Sequence, residues 1–244
     1  MMLYLVICIV MSHSLILSQD LSDIDQKLND MQFNEAKIDL EKLNNQYPSN
    51  YEILTRLAIG HHYIGEQSYS SKIESDNTKI AYEYINEAYK LNNNDAQILK
   101  WYTVILGKTV ENENLRTQIE LSKKIERSAL IVIEKLPKDE FCYNILGQWH
   151  FRLASLGPTS RRIASLIFSE PPKGSFKQAK YFLEQSMEIN PSYIGTYYWL
   201  GMTYMKLDQY EKAKKVFEKG LDLERPFKRE EEIFKKLKKE LSRM

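Results

Sequence analysis

His61 and His62 are the side chains in this 244-residue sequence whose types most invite metal or acid–base chemistry, and their spacing argues against it. Neighbours on a helix point about 100° apart, whereas an i, i+4 pair can converge on one ion, so both read as packing or surface residues. Cys142 and His150 stand eight residues apart with no third partner near them, which makes Cys142 a buried thiol rather than a nucleophile. No Gly-rich phosphate loop, HExxH or CxxC pair occurs. The chain therefore reads as a non-enzyme with no cofactor and no metal. Recognition chemistry is better represented, in the cations Lys108, Arg152 and Lys206 and in the adjacent Arg161 and Arg162.

What positions those cations must be helical. The sequence is 43% apolar and 27% charged, the mixture of an ordinary globular protein, and nine Gly with seven Pro are too few for a sandwich or barrel. The expected class is all-α. A net charge of +1 gives no global reason to expect nucleic acid or an anionic membrane, so electrostatic recognition has to be local.

The helices repeat. In TYYWLGMTYMKLDQYEKAKKVFEKGLDLERP, Tyr197, Leu200, Gly201, Tyr204, Tyr210, Ala213, Phe217 and Gly220 have the spacing of a tetratricopeptide unit, in which small residues let two antiparallel helices approach and large ones fill their seam. Earlier second helices end at Pro48, Asn93, Pro137 and Pro191, and Pro226 nearly closes the last copy, giving spacings of 45, 44, 54 and 35 residues. Proline suits that place because it cannot continue the helix. Three middle copies thus carry insertions. GEQSYSSKIESDNT reads as a polar loop, KTVENENLRTQIE as an extension of a helix, and the third is Ser155 to Phe176. The expected architecture is a helical-hairpin solenoid over 20–226, capped by an amphipathic helix at 227–244 with Ile233, Leu237 and Leu241 at four-residue steps.

First helices of stacked pairs line a concave face. Aligning the copies puts Lys108, Arg152 and Lys206 at one position, flanked by Phe151, Met202 and Met205. That lining predicts a ligand-binding groove for an anionic group attached to something apolar, such as a peptide carboxylate or a phospholipid.

In the third insertion Gly157 is expected to end one helix in a left-handed conformation, Pro158 to open another, and Ser175 with Gln178 to form a capping box. Ile163, Leu166, Ile167 and Phe168 should pack on the neighbouring repeat, with Arg161 and Arg162 as candidate anion contacts at a helix start. Burial of Phe168 predicts that Phe168→Ala lowers stability by roughly 3–5 kcal/mol.

Arg161-Arg162-Ile163-Ala164, Leu166, Phe168, Pro171-Pro172, Ser175-Phe176 and Ala179 resemble the RRIA…LF…PP…S…A signature of the regulator of microtubule dynamics family. Leu99 to Gly107 and Tyr143 to Leu156 are similar to that family's preceding helices, and the likeness covers about residues 50 to 226. The resemblance implies a tetratricopeptide scaffold linked to microtubules, or a membrane tether that binds phospholipid through its repeats. A protein or peptide partner in the groove is the leading expectation, with phospholipid as the alternative and microtubules only for a cytosolic chain.

The first nineteen residues, MMLYLVICIVMSHSLILSQ, carry an apolar run from Leu3 to Met11 and no acidic residue before Asp20. They read as an export signal cleaved between about Leu15 and Leu21, with a membrane anchor facing the cytosol or a buried N-terminal helix as the other readings.

Overall fold

A computed structural model describes residues 18–111, 113–168, 173–225 and 227–244. Most of the export-type segment, Pro171, Pro172 and Pro226 lie outside the described residues. The described residues form twelve helices: α1 (18–29), α2 (Phe33–Gln46), α3 (Tyr51–Gln67), α4 (Ser71–Leu91), α5 (Ala96–Val110), α6 (Leu115–Lys135), α7 (Glu140–Ala154), α8 (Pro158–Ile167), α9 (Phe176–Ile189), α10 (Ile194–Lys206), α11 (Tyr210–Leu221) and α12 (Lys228–Leu241). No strand occurs among them. None of these helices is long and apolar enough to cross a membrane.

Caps set the helix starts. Asn50, Ser70, Asp95, Asn114, Asp139 and Ser175 each accept a hydrogen bond from a backbone N–H in the following turn, satisfying donors that an isolated helix start leaves open. Pro48, Pro137 and Pro191 each follow a helix C-cap directly, where a ring without N–H stops the helix.

Five antiparallel hairpins follow: α1 with α2, α3 with α4, α5 with α6, α7 with α9, and α10 with α11. Glycines in the first helices explain how close each pair comes. A Cβ on Gly147 would collide with the Leu183 side chain of α9, and one on Gly201 with the Phe217 ring of α11. Burial of these large side chains against a bare backbone gives the core its continuity, from Leu40 and Leu57 through Ile85, Ile105 and Leu146 to Leu183, Leu200 and Phe217. The first helices α3, α5, α7 and α10 pack side by side, and their inner faces form the concave surface.

The first and third insertions depart from expectation in detail. The first is helical, not a loop: Ser70 caps α4, which then runs for 21 residues, and Gly65 lets its Glu74 and Asn77 come close to α3. The second lengthens α6, also to 21 residues. In the third, Gly157 is extended (φ −74°, ψ 172°) and caps the start of α8, whose first residue is Pro158; Ser155 ends α7. Left-handed backbone is unnecessary there because the chain leaves α7 through Ser155 and Leu156 before turning. Helix α8 lies on α6 through Ala164, which is buried, with Ile163, Ile167 and Phe168 half-buried around it. Leu166, expected on that face, is 83% exposed, since it sits two residues, about 200° of helix, beyond Ala164.

Helix α12 packs on α10 and α11 through Leu237, which is buried against Gly220. Its first turn does something different: it returns to α3, in the second hairpin.

Candidate functional site

The concave surface holds a cavity of about 390 Å³ lined from α3 by His62, Tyr63 and Glu66, from α5 by Val104 and Lys108, from α7 by Asn144, Gln148 and Arg152, and from the start of α12 by Phe227, Arg229 and Ile233. A second cavity of about 290 Å³ shares Lys108, Glu111, Arg152 and Arg229 and adds Glu74, Tyr198 and Trp199.

Its electrostatic centre is Lys108. Glu66 and Glu74 each accept from its ammonium at 2.7 Å, and Glu111 lies at 4.0 Å. Arg229 crosses from α12 to complete the cluster, with its guanidinium 3.0 and 3.2 Å from the Glu111 carboxylate and 3.4 Å from Glu66. Lys228 reaches Glu74 at 3.3 Å. Burial alone would raise the Glu66 carboxyl, but Arg229 and the neighbouring charges outweigh it and hold it down at about 2. Glu111 and Glu74 are lowered in the same way, Glu111 chiefly by Arg229 and Glu74 by its hydrogen bond from Lys108, each against the opposing effect of burial. His62 is pushed down to about 4 by burial, only partly offset by Glu66. His61 points elsewhere and bonds through Nδ1 to Asn77 Oδ1 of α4 at 2.7 Å.

Aromatic rings border the cluster. Phe227 stacks on Tyr63 (5.7 Å between centroids), Tyr63 on Phe33 (4.9 Å), and Tyr63 meets Trp101 edge-on at 5.7 Å. A polar chain enters from the core: the Asn144 amide donates to Thr196 at 3.0 Å, Gln148 donates to Asn144 at 2.6 Å, and Arg152 donates to Gln148 at 3.4 Å. Arg152 also lies 3.5 Å from Glu111 and over the Trp199 ring at 5.2 Å. Lys100 is drawn out of the groove to Asp139, at 2.6 Å, whose other oxygen caps α7 through the Cys142 N–H.

The expected site residues fall in several environments. Lys108 and Arg152 do meet in the groove, but Lys108 sits among carboxylates with its side chain 9% exposed, and Arg152 stays half open. Lys206 is exposed and lines neither cavity. Phe151 is core, wedged between the Phe176 and Trp199 rings. Met202 and Met205 pack against the α10–α12 core. Arg161 bonds the Leu156 carbonyl at 3.0 Å and closes the end of α7; Arg162 is exposed. The carboxylates Glu66 and Glu111 were missed. They stand 45 residues apart, the spacing between the first two copies, so the acidic pair was present in the repeat register.

Cys142 is buried, and burial followed by the nearby Asp139 pushes its thiol well above the usual range. Among the described residues no group of three His, Cys, Asp or Glu side chains is placed to hold a metal ion.

Stacked helical hairpins with a concave groove define a tetratricopeptide-type helical repeat protein, the class to which similar solved structures also belong. MamA from Desulfovibrio magneticus RS-1 matches 84% of this chain and 93% of its own at a TM-score of 0.50 and 14% identity, which concerns the fold alone. The family model described as Regulator of microtubule dynamics protein 1-3 matches residues 20–244, and the chain belongs to that family. It is similar to Regulator of microtubule dynamics protein 1 of Mus musculus (27% identical over 166 residues, covering 66% of this chain and 54% of that protein). Regulator of microtubule dynamics protein 3 of Xenopus laevis is 25% identical over 156 residues, 62% of this chain and 33% of that protein. The chain spans about half the length of the curated type 1 relatives it matches.

Proposed function

We propose that the chain is a non-catalytic scaffold that holds a segment of a protein partner in its concave groove. The observation carrying this reading is that the groove already accommodates a polypeptide segment: the first turn of α12 lies in it, held by ring stacking and ion pairs. A surface that receives one helix turn in this manner suits helix-in-groove recognition of another chain. Arg152 is half open beside Gln148 and can donate to a carbonyl or carboxylate of the partner, so Arg152→Ala with Gln148→Ala should reduce capture of the partner at least tenfold, read beside the thermal melt of the variant. Undiminished capture by this variant rules the groove out.

One observation favours a second reading. The larger cavity continues between α5, α6 and α7 into an apolar recess of Ile119, Ile125, Trp149 and Leu153, with Arg152 among the lining residues. A phospholipid with its chain in the recess and its anionic head near Arg152 fits that lining, and phospholipid co-purifying in native mass spectra would support it. Association with microtubules, which the names of the relatives suggest, requires a cytosolic chain, whereas residues 1–19 argue for export.

A further inference from the structure

The first turn of α12 has the character of a ligand for the groove it crosses. Phe227 inserts its ring beside Tyr63, Lys228 meets Glu74, and Arg229 spans Glu66 and Glu111. The receiving side is organised without it: Lys108 already ties Glu66 to Glu74, and Phe33 with Trp101 fixes the Tyr63 ring. Three carboxylates face the well-buried Lys108 and, at Glu111, the half-open Arg152, which leaves an excess of negative charge that is costly unless further cations arrive. Lys228 and Arg229 are those cations. The wider charge distribution agrees, because residues 227–244 carry seven basic and four acidic side chains, so a chain of net charge +1 has −2 in the remainder.

The two halves of α12 are held by different physics. The second half is anchored by Leu237 in the apolar core. The first turn is held by ion pairs whose basic side chains remain 18% and 32% exposed, and a non-helical link precedes it. It can therefore leave while the rest of the helix stays.

We propose that this end of the groove is a receptor for a partner segment bearing an aromatic residue followed by two basic residues, and that Phe227–Arg229 occupies it as an intramolecular competitor. The proposal rests on the scaffold reading above and gives that partner its chemistry. It also reverses the sign expected from the column of cations: the closed end of the groove selects positive charge.

A fluorescein-labelled peptide spanning residues 222–233 is the probe, titrated by fluorescence polarisation against the full chain. Phe227→Ala with Lys228→Gln and Arg229→Gln should bind it at least tenfold more tightly than wild type, because the competitor is gone. Adding Glu111→Gln to that variant, or replacing Phe, Lys and Arg of the peptide by Ala, should remove at least tenfold. The unaltered protein supplies an independent measurement: saturating peptide should speed amide exchange at 228–232 and leave 194–221 unchanged. Equal affinity for wild type and variant, indifference to the peptide substitutions, or no exchange response at saturation each overturn the proposal. So does a wild-type dimer that depends on Arg229, which would make a second copy the occupant. A partner lost with Arg152→Ala and Gln148→Ala yet not displaced by the peptide leaves the scaffold reading standing and defeats this one.

Discussion

His62 and Glu66 lie one turn apart on α3 and respond to acid for opposite electrostatic reasons. Burial keeps His62 neutral, with its pKa down at about 4 against 6.5 when exposed. The unfolded chain thus takes up a proton that the folded chain refuses, and stability present above pH 6.5 is lost as pH falls toward 4. Glu66 adds a second step. Burial opposes its ionisation, but Arg229 and the other charges win and hold it at about 2, so its contribution is complete above pH 4.5 and lost between 4.5 and 2. His61 and His150, both lowered by burial, act in the same direction as His62. We expect unfolding free energy to fall between pH 7 and pH 5, with about 1–2 kcal/mol of the fall from His62. Urea titrations across that range check it, and a His62→Gln variant with an unchanged slope would contradict the assignment.

At the scale of elements, α8 shows where sequence periodicity stops. The Ser175 cap, the prolines after helix ends, and Gly201 opposite Phe217 were all legible, because each acts through its own chemistry within a few residues or through a repeat spacing. A ten-residue helix with apolar side chains on two sides has no such internal arbiter. Its burial is decided by α6, which accepts Ala164 and leaves Leu166 in solvent. Phe168 is half-buried with the Lys123 ammonium 4.3 Å above its ring. Phe168→Ala should then cost about 1–2 kcal/mol instead of the full value for a buried aromatic, and Leu166→Ala less than about 0.5 kcal/mol. Thermal melts of the two variants separate these values; equal losses would mean that α8 presents its other face.

At the scale of the whole molecule, the groove contains a segment that the repeats do not encode. Repeat alignment brought Lys108 and Arg152 to one surface correctly, but a column of cations says nothing of what returns to it from outside the repeat, and Arg229 arrives from a segment that looked only like a cap. Had Glu66 and Glu111 been aligned as well, the need for a further cation would have been visible. The return of α12 to α3 links the last helix to the second hairpin, for Tyr69 donates to Glu231 at 2.9 Å across 162 residues of sequence. Weakening only the α12 side, by Lys228→Ala with Arg229→Ala, should raise amide exchange in α3 as well as in α12. Exchange confined to α12 would show that the two helices are uncoupled.

That link also changes how the chain can fold. An open array of repeats has contacts only between neighbours, nucleates anywhere and frays from either end, and its contact order stays low however long it grows. Joining the last helix to the second hairpin turns the array into a loop whose closure must await the correct stacking of every repeat between. We therefore expect the Arg229–Glu66 and Tyr69–Glu231 contacts to form late in folding, after the core. Substitutions there should accelerate unfolding and leave the refolding rate almost untouched.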